Sequence, residues 1–227
     1  ANKFASSISE VKNSKLLGIS SENFLRLKTF GDKYGIEKKY RYKNYDEILN
    51  SKEINAIYIS TINNTHAEIV IKAAKAKKNI LCEKPIATNY DDTIKIFETL
   101  YKSDVFFLEA FAYRLHEQTK FVINKIIEGE IGELQSIEST FGFFSKKINY
   151  KSRLFNPDLG GGAILDVGCY PVSFSILLAN LKKTGTAEPK ILNVSGSICK
   201  TNVDDIAYAS LVFENKIHKC EYLIISR

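Results

Sequence analysis

The chain has 227 residues, of which 44% are hydrophobic and 26% are charged, a composition typical of a soluble globular protein with one large or two small domains. We expect no membrane partner, because no apolar run approaches the roughly 18 residues that a bilayer span requires. The net charge of +6 comes from lysines scattered along the sequence, which argues against nucleic acid as a partner.

The first half of the chain alternates strand-like apolar runs with segments of helical periodicity. We predict strands over residues 15–19, 56–60, 79–82 and 105–108, and helices over residues 23–34, 65–77 and 91–101. Alternating strands and helices imply a parallel sheet covered by helices on both faces. We therefore predict a doubly wound α/β dinucleotide-binding domain over residues 1–108.

The pattern changes after Glu109. We predict helices over residues 118–128 and 160–180, and strands over residues 133–144, 191–198, 206–213 and 217–225, the last two joined by a hairpin-like turn at 214–216. A run of strands with few helices indicates an antiparallel sheet with one covered face. Residues 109–227 are therefore predicted to form an α+β domain.

Four cysteines lie far apart in the sequence and form no Cys-x-x-Cys pair: Cys82, Cys169, Cys199 and Cys220. A zinc site therefore has no sequence support, and we predict no metal. Cysteines in apolar surroundings behave as small hydrophobic residues. Reduced thiols in a cytoplasmic protein are the simplest interpretation.

Two short runs carry the chemistry. Leu81-Cys82-Glu83-Lys84-Pro85 puts a lysine directly after an apolar strand, at the carboxyl edge where open α/β sheets bind ligands. Residues 160–170, Gly-Gly-Gly-Ala-Ile-Leu-Asp-Val-Gly-Cys-Tyr, put Asp166 and Tyr170 four residues apart, on one face if the segment is helical. A lysine, a carboxylate and a phenol together suit proton transfer at a carbinol or carbonyl group.

The order of these and other motifs resembles the glucose–fructose oxidoreductase / inositol dehydrogenase family (Gfo/Idh/MocA) over nearly the whole chain. Besides the two runs, the matching motifs are residues 56–61 with Asn63 and His66, Glu109-Ala110-Phe111 with Tyr113, Arg114 and His116, and Val203-Asp204-Asp205. The Glu83-Lys84-Pro85 triplet is weak alone, but the ordered set is specific. The resemblance implies a second domain with an open-faced, mainly antiparallel sheet that supplies the substrate site and often the oligomer interface, hence a homo-oligomer.

The resemblance also bears on the ends of the chain. A dinucleotide-binding fold opens with a strand, a Gly-x-Gly-x-x-Gly turn and a helix. Here the first glycine is Gly18, residues 1–5 look like the body of that first helix, and the chain has no methionine. We expect a fragment that lacks the first strand, the glycine-rich loop and the end of the second domain, and that binds cofactor poorly. The alternative is a complete protein with a degenerate loop.

The choice of nicotinamide cofactor depends on the end of the second strand. An acid there would bind the ribose hydroxyls of NAD, whereas a small polar residue near a cation would favour NADP. This chain has Ser20 and Ser21, then Glu22 and Arg26, whereas NADP-using relatives often show Ser-Arg. We predict NADP, with NAD as the alternative, and Ser20, Ser21 and Arg26 as cofactor-binding residues.

The resemblance places further residues on the cofactor side of the site, and it implies that Lys84 contacts both the cofactor and the substrate. These cofactor-side residues are Thr61, Asn63, His66, Glu83 and Lys84. It also implies that Lys84 lies beside the nicotinamide and the substrate hydroxyl. On position alone, Lys84 would be one surface lysine among 32 basic residues.

Tyr170 is the predicted general base in oxidation and the acid in reduction. Many relatives carry histidine there, whereas NADP-dependent xylose and dihydrodiol dehydrogenases carry tyrosine. A phenol has an ordinary pKa near ~10, so it needs the help of Lys84 at neutral pH. Asp166 is predicted to orient the lysine or the substrate. Arg114 and His116 are predicted substrate contacts, with a structural salt bridge as the alternative for Arg114.

The predicted function is NAD(P)-dependent oxidoreduction of an aldose or a vicinal diol. A non-catalytic protein of the same fold that binds a dinucleotide or a sugar as a regulator is the alternative. The joint presence of Lys84, Asp166 and Tyr170 favours the enzyme, because a sensor needs the pocket but not the base.

Overall fold

The structure is a computed structural model that describes residues 1–145, 148–181, 188–213 and 219–226, the last of these as backbone. Its contacts divide the chain into two compact units. The first unit comprises Ala1–Thr61 and Thr65–Glu109, and the second comprises Ile62–Asn64 and Ala110–Arg227.

The first unit alternates strands with helices. Its strands are β1 (Ile19–Ser20), β2 (Arg41–Tyr42), β3 (Ala56–Ile59), β4 (Asn79–Cys82) and β5 (Phe107–Glu109), and its helices are α1 (Asn2–Ile8), α2 (Phe24–Lys33), α3 (Tyr45–Asn50), α4 (His66–Lys75) and α5 (Tyr90–Ser103). β1 pairs with β2, β3 with β4 and β4 with β5, and each pairing is parallel. The predicted alternation and the parallel pairing are confirmed, although β1 is shorter than the strand predicted over residues 15–19.

Asparagine side chains cap the N-termini of three of these helices. Asn23 accepts the backbone N–H of Arg26 at the start of α2, Asn44 caps α3 in the same way, and Asn89 caps α5. Such a cap satisfies one of the N–H groups that the first helical turn leaves without a partner, and it contributes about 1 kcal/mol.

The core of the first unit lies between α4, α5 and the strands β3 and β4. Its most deeply buried members are Ile59, Val70, Ala73, Ala74, Ile80, Cys82 and Ile96. Small residues on α4 let the helix lie close to the sheet, so burial of this face fixes where the carboxyl ends of β3 and β4 stand.

The second unit contains a four-stranded sheet and two main helices. The helices are α6 (Glu117–Glu128) and α7 (Cys169–Ala179), and the strands are β6 (Ser136–Phe143), β7 (Pro189–Ile198), β8 (Asp204–Phe213) and β9 (Lys219–Ser226). The strand order is β6-β9-β8-β7; β8 is antiparallel to both neighbours, whereas β6 and β9 are parallel. The predicted open, mainly antiparallel sheet is confirmed. The predicted turn at residues 214–216 lies outside the described residues.

The helices of the second unit cover one part of the sheet and leave β7 exposed. Ile126 of α6 and Leu178 of α7 are buried together with Ile137, Leu211 and Phe213 of the strands. The apolar side chains of β7, in contrast, are mostly exposed: Ile191, Leu192, Val194 and Ile198. β7 is one of the two edge strands of this sheet, and its apolar side chains are uncovered.

One helical stretch of the described residues, Pro157–Ala179, is by its 23-residue length and its composition apolar enough to cross a membrane. This corrects the expectation that the sequence holds no such stretch. Half of its most apolar window is buried inside the protein, as in the core helix of a soluble protein, so the stretch is weak evidence for a membrane partner.

Candidate active site

Lys84 follows β4 directly, at the carboxyl end of a strand that is parallel to both neighbours. We call residues 83–87 the lysine loop. Lys84 is half-buried, whereas Pro85, Ile86 and Ala87 are buried, and the Lys84–Pro85 peptide is cis. The sequence therefore anchors the loop through its apolar residues and leaves the lysine partly accessible to solvent.

The backbone of the lysine loop is bonded to three neighbouring elements. The N–H of Glu83 donates to the carbonyl of Ile59 at 2.9 Å, and the N–H of Ile86 donates to Oε1 of Glu109 at 2.9 Å. The carbonyl oxygen of Pro85 lies 2.7 Å from Nδ1 of His66.

Glu83, a predicted cofactor-side residue, is held by Tyr58 of β3. The Tyr58 hydroxyl donates a hydrogen bond to Oε1 of Glu83, and Phe4 of α1 stacks on the Tyr58 ring at a centroid distance of 4.1 Å. Burial, and then the bond to the Glu83 carboxylate, raise the pKa of Tyr58 well above its ordinary value. Tyr58 therefore stays a proton donor to Glu83. The motif at residues 56–61 contains Tyr58 but does not indicate this contact, because only the position of Tyr58 on β3 brings it to Glu83.

Thr61 and His66, both predicted to lie on the cofactor side, are close to each other after β3. Oγ1 of Thr61 accepts a hydrogen bond from Thr65 at 2.7 Å. His66 is fully buried, with Nδ1 facing Pro85 and Nε2 lying 3.3 Å from the carbonyl oxygen of Thr61. In this structure the imidazole binds the backbone of the protein and does not line a surface that a cofactor could touch.

Ser20 ends β1, Ser21 follows it, and Arg26 lies on α2, the next helix along the chain. Oγ of Ser20 donates to the carbonyl of Asn44 at 2.7 Å, and Oγ of Ser21 accepts the N–H of Asn23 at 3.2 Å. The Arg26 side chain is exposed on the first turn of α2. The hydroxyls shape the turn, and the guanidinium is accessible to an anionic group.

Asn63, also a predicted cofactor-side residue, belongs to the second unit by its contacts. Its buried amide donates to the carbonyl of Gly160 at 2.8 Å, and the amide of Asn64 donates to the carbonyl of Asp158 at 2.5 Å. Both amides therefore bind the backbone of the loop that leads into the glycine run. This use of Asn63 was not expected from the sequence.

Asp166 and Tyr170 occupy the start of the long helix of the second unit. Ile164–Gly168 forms a π-helical turn that continues directly into α7, so Asp166 lies in the π turn and Tyr170 in the second residue of α7. π turns within helices are frequent at functional sites. The buried Asp166 carboxylate pairs with Nη1 of Arg153 at 2.8 Å, a partner that the sequence pattern did not indicate.

Aromatic rings surround the half-buried Tyr170. The ring centroids of Phe111, Phe141 and Tyr113 lie 5.5, 5.2 and 6.2 Å from that of Tyr170. The rings of Phe111 and Phe141 meet it edge-on, a favourable geometry for aromatic pairs. These contacts fix the direction of the phenol ring. The motif around Phe111 and Tyr113 was singled out in the sequence, whereas Phe141 was not.

Asp204 fixes the start of this helix. Its Oδ2 accepts the backbone N–H of Ile164 at 2.6 Å, where a carboxylate is favoured by the unsatisfied N–H groups and by the helix dipole. Asp204 belongs to the Val203-Asp204-Asp205 motif, which by itself indicates no role for this residue. The structure shows that it caps the helical segment that carries Asp166 and Tyr170.

Arg114 and His116, the predicted substrate contacts, have protein partners within the second unit. Nη2 of Arg114 donates to Oγ of Ser173 at 3.0 Å, and the same hydroxyl lies 2.9 Å from the hydroxyl of Tyr113. His116 is exposed and caps α6, because its Nδ1 accepts the N–H of Gln118 at 3.1 Å. Arg114 therefore bonds to a serine hydroxyl, and the ion pairs found among the described residues do not include the structural salt bridge expected as its alternative.

Within the part of the chain that the structure describes, no three His, Cys, Asp or Glu side chains are grouped so that they could hold a metal ion. The candidate residues are thus a lysine in the first unit, a carboxylate and a phenol in the second unit, and hydrogen-bonding polar groups in both. That set can bind a polyhydroxylated molecule and move a proton.

Comparison with known proteins agrees with this architecture. Residues 1–111 match an oxidoreductase family with an NAD-binding Rossmann fold, and residues 122–219 match the GFO/IDH/MocA C-terminal domain. Over 202 residues the chain is 29% identical to trans-1,2-dihydrobenzene-1,2-diol dehydrogenase of Xenopus tropicalis, an alignment that covers 89% of this chain and 58% of that protein. It is 34% identical over 155 residues to D-xylose 1-dehydrogenase (NADP(+)) 2 of Haloferax volcanii, covering 68% of this chain and 46% of that protein.

A solved structure shows the same fold. The crystal structure of aldose-aldose oxidoreductase from Caulobacter crescentus, complexed with glycerol, matches with a TM-score of 0.88 at 24% identity, over 99% of this chain and 67% of that chain. The chain spans about half the length of the curated relatives it matches. The predicted two-part fold is confirmed, and because the two family matches take in most of the sequence, the chain belongs to the Gfo/Idh/MocA family of oxidoreductases.

Proposed function

We propose that the protein containing this chain transfers a hydride between NADP and the CH–OH carbon of an aldose or a vicinal diol. The observation that carries the proposal is that a member of this family has Lys84, Asp166 and Tyr170 together. Lys84 lies in the loop after β4, Asp166 in the π turn before α7, and Tyr170 in the first turn of α7. The names of relatives, which specify a dihydrodiol and D-xylose as substrates, support this substrate class.

The residues at the end of β1 fit NADP better than NAD. Ser20 and Ser21 provide hydroxyls there, and Arg26 provides an exposed guanidinium that can pair with a ribose phosphate. Glu22, the nearest acid, is exposed one position beyond the serines. When bound, the nicotinamide supplies or accepts the hydride.

In oxidation, the phenolate form of Tyr170 accepts the proton of the substrate hydroxyl and becomes the neutral phenol, while the carbon–hydrogen bond breaks with its electron pair leaving as hydride. The carbon–oxygen single bond of the substrate thereby becomes the double bond of a carbonyl group, and reduction reverses every step. We assign to the ammonium group of Lys84 the role of stabilising negative charge on the substrate oxygen. Asp166, held by Arg153, keeps the start of α7 in its orientation.

The test is turnover, followed by nicotinamide absorbance with a panel of aldoses and vicinal diols. Tyr170→Phe removes the base, and Tyr150→Phe, which also removes a phenol from the second unit, is the matched control. We expect turnover to fall at least about 100-fold in the first variant alone. Turnover that survives Tyr170→Phe would reject Tyr170 as the base. Cofactor binding without turnover on any substrate would favour a non-catalytic binding protein.

Cofactor choice is tested by binding of NADP and NAD to Arg26→Ala. Lys28→Ala, which removes a positive charge from the same helix, is the control, since Lys28 pairs with Asp32 at 2.7 Å. We expect NADP affinity to fall about tenfold in Arg26→Ala only, with NAD affinity unchanged. Equal affinities for NADP in both variants would contradict the assignment of Arg26.

We also propose a homo-oligomer that forms through the sheet of the second unit. The support is the open edge strand β7, on which Ile191 and Val194 are 69% and 61% exposed, an unusual density of apolar surface. Val194→Glu should yield monomers in analytical ultracentrifugation, whereas Ile127→Glu, which alters a 51% exposed residue of α6, should not. A wild-type monomer would reject this assembly.

We propose a cytoplasmic location. Cys82 and Cys199 are free thiols in the structure, which suits a reducing compartment. Cell fractionation of the tagged protein tests this, and recovery in an extracytoplasmic fraction would overturn it.

A further inference from the structure

We propose that His66 and Glu109 are positioning residues that hold the lysine loop from two sides and thereby place Lys84 for proton chemistry. The inference rests on the proposed function, because it assumes that Lys84 acts on the reacting oxygen. Neither residue would touch the substrate; each acts through the backbone next to Lys84.

His66 acts on Pro85, the residue that follows Lys84. A carbonyl oxygen can only accept, so the 2.7 Å contact between Nδ1 and the Pro85 oxygen requires the proton to lie on Nδ1. The ring is fully buried, and its other nitrogen lies 3.3 Å from the carbonyl oxygen of Thr61. With its proton on Nδ1, the neutral ring donates to Pro85 alone, and because the ring is buried it cannot turn without losing that hydrogen bond, so it fixes the Pro85 carbonyl.

Glu109 acts on the next residue of the loop. It ends β5, and its Oε1 accepts the backbone N–H of Ile86 at 2.9 Å. A bond between an ionised carboxylate and a backbone N–H is among the stronger hydrogen bonds in proteins. On the other side of Lys84, the N–H of Glu83 donates to the carbonyl of Ile59. Backbone groups on both sides of Lys84 are therefore hydrogen-bonded to residues of β3, α4 and β5.

These hydrogen bonds fix the backbone of Lys84. A lysine side chain has several rotatable bonds, so a fixed backbone is needed before its ammonium can be directed at one atom. A displacement of about 1 Å at a reacting centre can cost about 100-fold in rate. His66 and Glu109 therefore matter for the rate even though they lie outside the reacting groups.

Paired variants separate this role from general stabilisation. In His66→Asn the amide nitrogen takes roughly the place of Nδ1 and can still donate to Pro85, whereas in His66→Gln it takes roughly the place of Nε2 and donates toward Thr61 instead. Glu109→Gln keeps an acceptor oxygen for Ile86, and Glu109→Ala removes it. Each pair differs mainly in the bond to the lysine loop.

Two readouts are needed. Amide hydrogen exchange in the chain without cofactor reports on the lysine loop, and steady-state kinetics of the protein containing this chain report on turnover. We expect His66→Gln and Glu109→Ala to speed exchange at residues 83–87 and to lower kcat about 10- to 100-fold at unchanged KM. His66→Asn and Glu109→Gln should stay within about threefold of wild type.

Failure of this inference and failure of the proposed function give different results. Members of a pair that behave alike in both readouts would overturn the inference. Glu109 is half-buried at a strand end, so its pair of variants is the decisive one if substitution at the fully buried His66 prevents folding. If the wild-type protein turns over no substrate, the proposed function fails, and the exchange data alone then decide whether the two residues hold the loop.

Discussion

Gly162 and Asp204 stand so close that a Cβ added at residue 162 would lie within 3.0 Å of Oδ1 of Asp204, nearer than real Cβ atoms come to any neighbour. Gly162 also has φ +122, in a region that residues with side chains rarely adopt. The glycine therefore serves two needs at once: it turns the chain into the helix and leaves room for the carboxylate that caps Ile164.

Gly162→Ala should destabilise the protein by about 3 kcal/mol, since it adds both backbone strain and steric overlap. Gly132→Ala is the matched control, because Gly132 has φ +73 but no heavy atom within 4 Å of an added Cβ. The control should cost about 1 kcal/mol, from strain alone. Urea unfolding measures both, and equal losses would show that Asp204 gives way to the added methyl group.

Asp204→Ala should cost about 1–2 kcal/mol, because the N–H of Ile164 loses its acceptor at the start of the helical segment. Asp204→Asn keeps an acceptor oxygen and should cost less than half as much. The same order is expected for turnover, since the capped segment carries Tyr170. Similar unfolding free energies for the two variants would argue that the charge, and not the hydrogen bond, is what Asp204 contributes.

The position of the lysine loop could be predicted from the sequence because its signals are local. The apolar run 79–82 forms β4 as predicted, and the loop follows it directly. α6 ends at Gly129, which adopts the left-handed conformation (φ +80) common after helices. In such places neighbouring residues determine both the element and where it ends.

Other features depend on partners that are distant in the sequence. β1 is only Ile19–Ser20, although apolar residues begin earlier, because its partner β2 is equally short. The spacing of Asp166 and Tyr170 suggested one α-helix, whereas the segment begins as a π turn capped by a residue 40 positions later, Asp204. No local pattern reports such a cap.

The contacts that support the predicted site residues were missed for the same reason. Tyr58 reaches Glu83 across neighbouring parallel strands, and His66 reaches Pro85 from the start of α4. The resemblance to a family named the residues but not their hydrogen bonds. Those bonds are the basis of the supporting role that we propose for His66, whereas its place on the cofactor side stays a prediction.

Arg153→Ala should destabilise the protein by about 1–2 kcal/mol. It removes a charge-assisted hydrogen bond from Asp166, whose side chain is 11% exposed, whereas that of Arg153 is 53% exposed. Lys120→Ala is the control, because its pair with Glu117 is exposed on both sides and should contribute under about 0.5 kcal/mol. Thermal or urea unfolding distinguishes them, and equal losses would mean that Asp166 depends on other partners.

The buried thiol of Cys82 should make the protein less stable at alkaline pH. Burial, with smaller contributions from the negative charges of Glu109 and Glu83, raises the pKa of its thiol from 9.0 to about 12. The thiol is neutral in both folded and unfolded chains below pH 9.0, so its contribution is constant there. Between pH 9.0 and about 12 only the unfolded chain ionises, which favours unfolding by up to about 1.4 kcal/mol per pH unit.

Cys82→Ala removes this titration and leaves the other groups in place. At pH 7 the variant should be less stable than wild type by about 1 kcal/mol or more, because it loses buried volume next to Ile59 and Ile80. The difference between variant and wild type should shrink as pH rises from 9 to 10.5, since only the wild type loses free energy through the thiol. Urea unfolding at a series of pH values measures it. A difference that stays constant across this range would mean that the folded chain lets the thiolate reach solvent.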